Sequence, residues 1–398
     1  MLVKLKQWLP IMSFSMAAFL LVTSELIPIG VLNQISIDLL IDPSYAGLMI
    51  TVPSVIAALS ALFFPFLTKQ FDRKYIFLSL TVMMMVSNLI VYCCQQYYMI
   101  LMGRLIIGIA IGGFATLSIT SCRTYAPNEN RIAIAISMVM AGMTLATVIG
   151  LPIGIWISHM FGWRRIFLIL SSLSLVLFFT QLKWLRPKKL NEAADIKKVL
   201  FLIKSSVTRK YVFISLCIFL SHFFCYSYIS VLFEQVFNLD VQDTVAVLCL
   251  FGVASALGNI ISSRSNAGNV NNYLLFSFVL FCVSLAFVLG HNLGLLYIAC
   301  VFWGLAFGVF SSAINIFIVF HSSNNTESAM PLFIALIQVT ITLGSYLGSV
   351  ALQYLGINSV VWCSLASFSM CTLFFIFTGL RWIRVQQNLE SLYQRLFS

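Results

Sequence analysis

Charge is what this chain has least of. Only 9% of its residues are Asp, Glu, Lys or Arg, and acids number 12 among 398 residues. A soluble globular domain carries about 25% charged residues, so an ordinary water-facing surface is excluded. Also missing are a GxxxxGK phosphate loop, His and Cys clusters at metal-ligand spacing, and a nucleophile elbow. Their absence argues against an enzyme and against ATP-driven work within this chain. The 10 cysteines nearly all fall inside apolar runs without metal spacing, and read as small core residues rather than ligands or disulfide partners.

What is present is hydrophobic sequence, 61% of the residues, with a mean hydropathy of +1.00. Crossing a hydrocarbon core about 30 Å thick takes roughly 20 apolar residues in a helix. Twelve such stretches occur, near 9–32, 45–67, 75–95, 99–122, 132–155, 164–184, 210–234, 244–263, 273–290, 294–319, 329–352 and 358–380. The first is too long for a signal peptide and has no small-residue cleavage site after it, so it reads as a retained helix.

The formal charge of +11 follows from this topology rather than from a nucleic-acid partner. With the N-terminus inside, the 23 lysines and arginines fall in cytoplasmic segments except Arg164 and Arg165 outside and Arg104 within a span. That is the positive-inside pattern, and it predicts a multi-pass protein of the cytoplasmic membrane with both termini cytoplasmic, its basic excess facing anionic lipid.

The longest polar stretch, "RPKKLNEAADIKKVLFLIKSSVTRK", divides the chain into six spans and six. The expected fold is all-α and integral to the membrane: 12 helices in two pseudo-symmetric halves, 1–185 and 210–380, joined by a linker at 186–209 and followed by a tail at 381–398. Ile196, Val199, Leu200 and Ile203 give the linker an amphipathic helix on the inner surface, and Leu389, Leu392 and Leu396 suggest another in the tail. Six plus six spans is the layout of a transporter whose substrate site lies between the halves near the midplane.

Polar residues inside spans are then the informative ones. Glu25, in "TSELIPIG", is the acid clearly within a span, where a charge costs on the order of 2.5–3.5 kcal/mol. A carboxyl held out of water favours its neutral form, which suits it to take up and release a proton. Arg104, in "GRLIIGIAIGG", cannot deprotonate and must find partners, either as a clamp on backbone carbonyls or hydroxyls or within proton coupling or substrate binding. His222 and Tyr226 lie four apart and share a helix face, which with Asn315 and Gln338 completes the candidate substrate contacts alongside Glu25. Pro28 and Gly30 weaken the outer first helix and free carbonyls. Gly142, Gly150, Pro152 and Gly154 predict a tight, kinked interface in the fifth span. In "FDRK", Asp72 is placed to cap the third helix, with Arg73 and Lys74 at lipid phosphates.

These motifs together resemble the major facilitator superfamily, and within it the twelve-span drug and metabolite:proton antiporters of the sugar efflux and purine efflux branch. "TSELIPIGVLNQISIDL" is similar to that branch's first helix, "FDRKYIFL" to the loop between spans two and three, "GRLIIGIAIGG" to the fourth-span motif, and "GLPIGIWISHMFGWRRIF" to the fifth-span antiporter motif with its Gly-Trp-Arg. "HFFCYSYI" and "FWGLAFG" resemble the seventh and tenth spans. The loop departs from the pattern in lacking its leading glycine and in carrying Lys74 and Tyr75 after the Asp-Arg pair. The resemblance implies export of a small sugar-like, nucleoside-like or drug-like solute by alternating access, and a monomer is expected. A proton gradient would supply the energy in place of any cofactor. Glu25 and Arg104 would carry the coupling, and Asp72, Arg73, Gly150, Pro152 and Gly154 the conformational change. A proton symporter importing a nutrient and a non-transporting membrane sensor are the alternatives.

Overall fold

The computed structural model describes residues 6–67, 70–128, 131–187, 206–262, 270–321 and 326–397. The predicted linker helix falls at 188–205, outside the described residues. So do the side chains of the tail, whose backbone continues helically through Phe397.

The first half is built from α1 (Leu9–Gly30), α2 (Leu32–Leu39), α3 (Pro43–Ala46), α4 (Leu48–Leu67), α5 (Arg73–Cys93), α6 (Tyr97–Tyr125), α7 (Ile132–Leu145), α8 (Leu151–Phe161) and α9 (Trp163–Trp184). The second contains α10 (Ser206–Tyr226), α11 (Ile229–Phe237), α12 (Val241–Ser262), α13 (Val270–Val288), α14 (Leu293–His321), α15 (Thr326–Leu355) and α16 (Ile357–Phe397). Eleven stretches are long and apolar enough to span a membrane. The pair Tyr211–Tyr226 and Ile229–Phe237, bent by 46°, makes a twelfth when taken as one broken span. This is a multi-pass membrane protein.

Backbone detail repeats between the halves more clearly than side chains do. The first span of each half breaks and continues as a short helix ended by a left-handed residue, Leu40 (φ 52°) after α2 and Asn238 (φ 50°) after α11. The fifth and sixth spans of each half meet at one glycine with positive φ, Gly162 (φ 90°) and Gly356 (φ 80°), a conformation that L side chains rarely adopt. The fourth span of each half carries a GxxxG pair, Gly108/Gly112 on α6 and Gly304/Gly308 on α14. Each pair lets its helix lie directly on the second span's backbone, α4 or α12. A Cβ at Gly108 would sit 2.8 Å from Ile56 Cβ, and one at Gly308 would sit 2.8 Å from the Ser255 carbonyl carbon. Backbone cannot step aside cheaply, so Gly308→Ala is expected to cost about 1–3 kcal/mol, read as a lowered apparent Tm in detergent. Gly294→Ala, facing only Asn292 Oδ1 at 3.3 Å, serves as the mild control.

The fifth span is where regular geometry fails. Pro152 has no N–H to give, and the turn before it, Ala146–Gly150, winds as a π-helix between α7 and α8. Its small residues all face α1: Gly142 against the Ser15 backbone, Gly150 against Thr23, Gly154 against Ile27. The expected tight interface is thus one between the kinked fifth span and the helix that carries Glu25. From the other half, Gly252 of α12 lies against the same π turn, where a Cβ would be 2.6 Å from Val148 Cα.

Hydrogen bonds joining the two halves gather at the end of the bundle away from the chain termini. Ser230 Oγ donates to the Ile29 carbonyl at 2.7 Å, Ser349 Oγ donates to the Ser44 carbonyl at 3.0 Å, and Asn33 Nδ2 donates to Glu234. Tyr228, packed over Gly47, donates to the Ser345 carbonyl at 2.8 Å. The conformation is therefore one closed at that end.

Candidate functional site

Pro28 lies inside α1 and Pro53 inside α4. A proline supplies no N–H, so each leaves the carbonyl four residues earlier without its helical donor. Those carbonyls belong to Ser24 and Met49. Both are taken by one side chain: Arg104, fully buried on α6, donates from Nε to Met49 O at 2.9 Å and from Nη1 to Ser24 O at 2.9 Å. Its Nη2 reaches the main-chain oxygen of Glu25 at 3.3 Å. Of the two roles open to Arg104 from sequence, the geometry is that of a carbonyl clamp. It holds spans one, two and four together and presents its charge to the backbone of Glu25. Around it, Ser24 Oγ donates to Asn88 Oδ1 at 2.6 Å, and Ser87 Oγ donates to the Gly103 carbonyl at 2.7 Å. These ties fix the register of α1 against α5 and of α5 against α6.

Glu25 itself is half-buried and points its carboxylate at the other half, where Gln338 of α15 donates from Nε2 to Oε1 at 3.4 Å. The structure brings these two together, with the remaining substrate candidates away from them. His222 is sealed in its own half, accepting at Nδ1 from Trp303 Nε1 at 3.0 Å. Its ring stacks between Tyr226 (centroids 4.8 Å apart) and Phe307 (4.2 Å), with Phe251 and Phe281 completing the enclosure. With Nδ1 an acceptor, the neutral ring carries its proton on Nε2. Asn315 donates back to Ser311 O on its own helix at 2.8 Å.

Asp72 stands at the N-cap of α5, its side chain making no capping bond. Arg73, placed at lipid phosphates by the sequence reading, is instead buried against the protein, and Lys74 donates to the Leu182 carbonyl at 2.8 Å. The Gly-Trp-Arg segment acts at the opposite end. There Asp38 Oδ2 accepts from Trp163 Nε1 at 3.2 Å and pairs with Arg164 Nη2 at 3.0 Å, while Arg164 also bonds the Cys94 carbonyl.

The site thus combines a carbonyl clamp behind an intramembrane acid, two halves of broken and GxxxG-packed spans, and closure at one end. The sequence pattern of the Major Facilitator Superfamily matches residues 13–348. The chain belongs to the Major Facilitator Superfamily. Membrane transport is accordingly its general activity. Solved structures share the superfamily fold across nearly their whole length. The human organic anion transporter MFSD10 (TETRAN) superposes with a TM-score of 0.66 at 13% identity, over 93% of this chain and 99% of that one. A bacterial homolog to the human lysosomal transporter Spinster superposes in its inward-facing, unoccupied form with a TM-score of 0.71 at 11% identity, over 95% and 98% of the two chains. Its inward-facing, occupied form gives 0.70 at 13%, over 93% and 96%. At such identities the likeness is one of fold alone.

Proposed function

We propose that this superfamily member is a proton-coupled exporter of a small organic solute, set in the cytoplasmic membrane with both termini cytoplasmic. The observation that carries the reading is the Glu25 carboxylate. It lies within a span and accepts from Gln338 of the other half, while Arg104 bonds its main-chain oxygen rather than the carboxylate. A proton taken up by Glu25 from the far side is released to the cytoplasm as solute binds between the halves. A potential near 100 mV supplies about 2.3 kcal/mol per charge moved, enough for roughly fiftyfold accumulation. The resemblance to the efflux branch supports a sugar-like, nucleoside-like or drug-like solute. The sealed position of His222 and Tyr226 moves the weight of recognition toward the Glu25 side of the interface.

The test is solute-induced proton movement in proteoliposomes carrying a pH-sensitive dye, with sugars, nucleosides and cationic drugs screened against wild type and Glu25→Gln. The expected result is a solute that moves protons in wild type and moves none in the variant. Equal signals from both would remove Glu25 as the proton carrier.

A further inference from the structure

Gln338 is 6% exposed, and its two amide atoms are not used equally. Nε2 faces Glu25 Oε1, while Oε1 is buried and has no hydrogen-bond partner among the described residues. Leaving a buried acceptor unmade costs more than a typical hydrogen bond contributes. A carboxylate can only accept, so it cannot satisfy that oxygen; a protonated carboxyl can donate to it while still accepting from Nε2.

We infer that Gln338 is a positioning residue that reads the protonation state of Glu25, forming a two-bond acid–amide latch between the halves when Glu25 is protonated and losing one bond when it is not. The inference rests on the proton-carrier reading of Glu25 and assigns Gln338 to coupling rather than to solute contact. It gives the coupling a direction. Protonation adds a bond across the interface in the conformation closed at the far end, so acid favours that closure and rising pH weakens it. Several charged groups on helices packed against α1 are engaged elsewhere. Arg104 of α6 holds the carbonyls of Met49, Ser24 and Glu25, Arg164 of α9 holds Asp38, and Glu234 of α11 holds Asn33. Arg73 of α5 lies at the terminal end, His159 is in the last turn of α8, and Tyr346 of α15 is exposed.

Hydrogen–deuterium exchange of the full chain in lipid nanodiscs tests this without a solute. Labelling times are scaled for the intrinsic pH effect, and exchange is read in the far-end segments 32–46 and 228–237. Difference infrared spectroscopy follows the Glu25 carboxyl stretch, identified by its loss in Glu25→Gln. In wild type, far-end exchange is expected to quicken roughly tenfold as Glu25 deprotonates. In Gln338→Met, which keeps length and loses both polar atoms, exchange should no longer follow pH although the Glu25 stretch still titrates. Gln338→Asn, a shorter amide, should behave like Met and covers the case in which Met folds poorly. Glu25→Gln, able to donate to Gln338 Oε1 at every pH, should stay protected throughout. If Glu25 titrates but wild-type exchange ignores pH, or if both Gln338 variants keep the wild-type response, the latch is overturned while the proton carrier stands. A Glu25 stretch that never titrates overturns the proton carrier itself.

Discussion

Arg104→Ala is expected to lower the stability of the protein by about 3–5 kcal/mol, among the largest effects of any single change in the first half. The reason lies in two prolines on other helices. Pro28 and Pro53 strip the Ser24 and Met49 carbonyls of their helical donors, and the Arg104 guanidinium covers both at 2.9 Å with every atom out of water. Removing it orphans two buried acceptors at once and withdraws a third contact from the Glu25 carbonyl. A lysine has one ammonium where the guanidinium offers a planar fork, so Arg104→Lys should recover only part of the loss. The specific check is a double-mutant cycle on apparent Tm. In the Arg104→Ala background, Pro28→Ala and Pro53→Ala each return an N–H to an orphaned carbonyl and should restore about 1 kcal/mol, whereas in wild type they should not stabilise. Additive behaviour, with the prolines contributing the same with or without Arg104, would show that the carbonyl clamp is not what holds the kinks.

That clamp marks where the sequence was legible and where it was not. The apolar spans could be read because span length is dictated by bilayer thickness, and the bent seventh span differs only in being two helices. In the sequence, Pro28 frees a carbonyl and Arg104 needs acceptors. Their meeting, across residues far apart in the chain, is a tertiary fact that neither stretch contains. The surroundings of His222 are hidden from the sequence for a related reason. A helix apolar on every side carries no amphipathic signal to say which neighbour a face will meet. So the shared face of His222 and Tyr226 was readable, and its turn toward Trp303 and Phe307 was not. Arg73 misled because its charge outweighed its place at a helix start packed on protein. The GxxxG pairs at Gly108/Gly112 and Gly304/Gly308 occupy the same place in the fourth span of each half and mark the repeat in the sequence itself.

Joining the halves covalently at the far end should stop transport altogether. The Ser349 hydroxyl donates to the Ser44 carbonyl at 3.0 Å in a buried contact, which makes these two residues neighbours across the halves and the pair to cross-link. In Ser44→Cys/Ser349→Cys, mild oxidation is expected to abolish movement of the solute found by the proteoliposome screen, and a thiol reductant to restore it. Each single variant, with the 10 native cysteines present, should be unaffected by the same treatment. The proposed alternating-access cycle requires this end to part, and Ser230 on Ile29, Asn33 on Glu234 and Tyr228 over Gly47 are the contacts that must break together. These are hydrogen bonds and packing rather than ion pairs, each contributing about 1 kcal/mol, so together they can hold the end closed and still release it under the proposed change of charge at Glu25. Full transport through an oxidised, demonstrably crosslinked protein would mean that the far end never opens in the cycle, and the closed contacts would then be permanent structure rather than a gate.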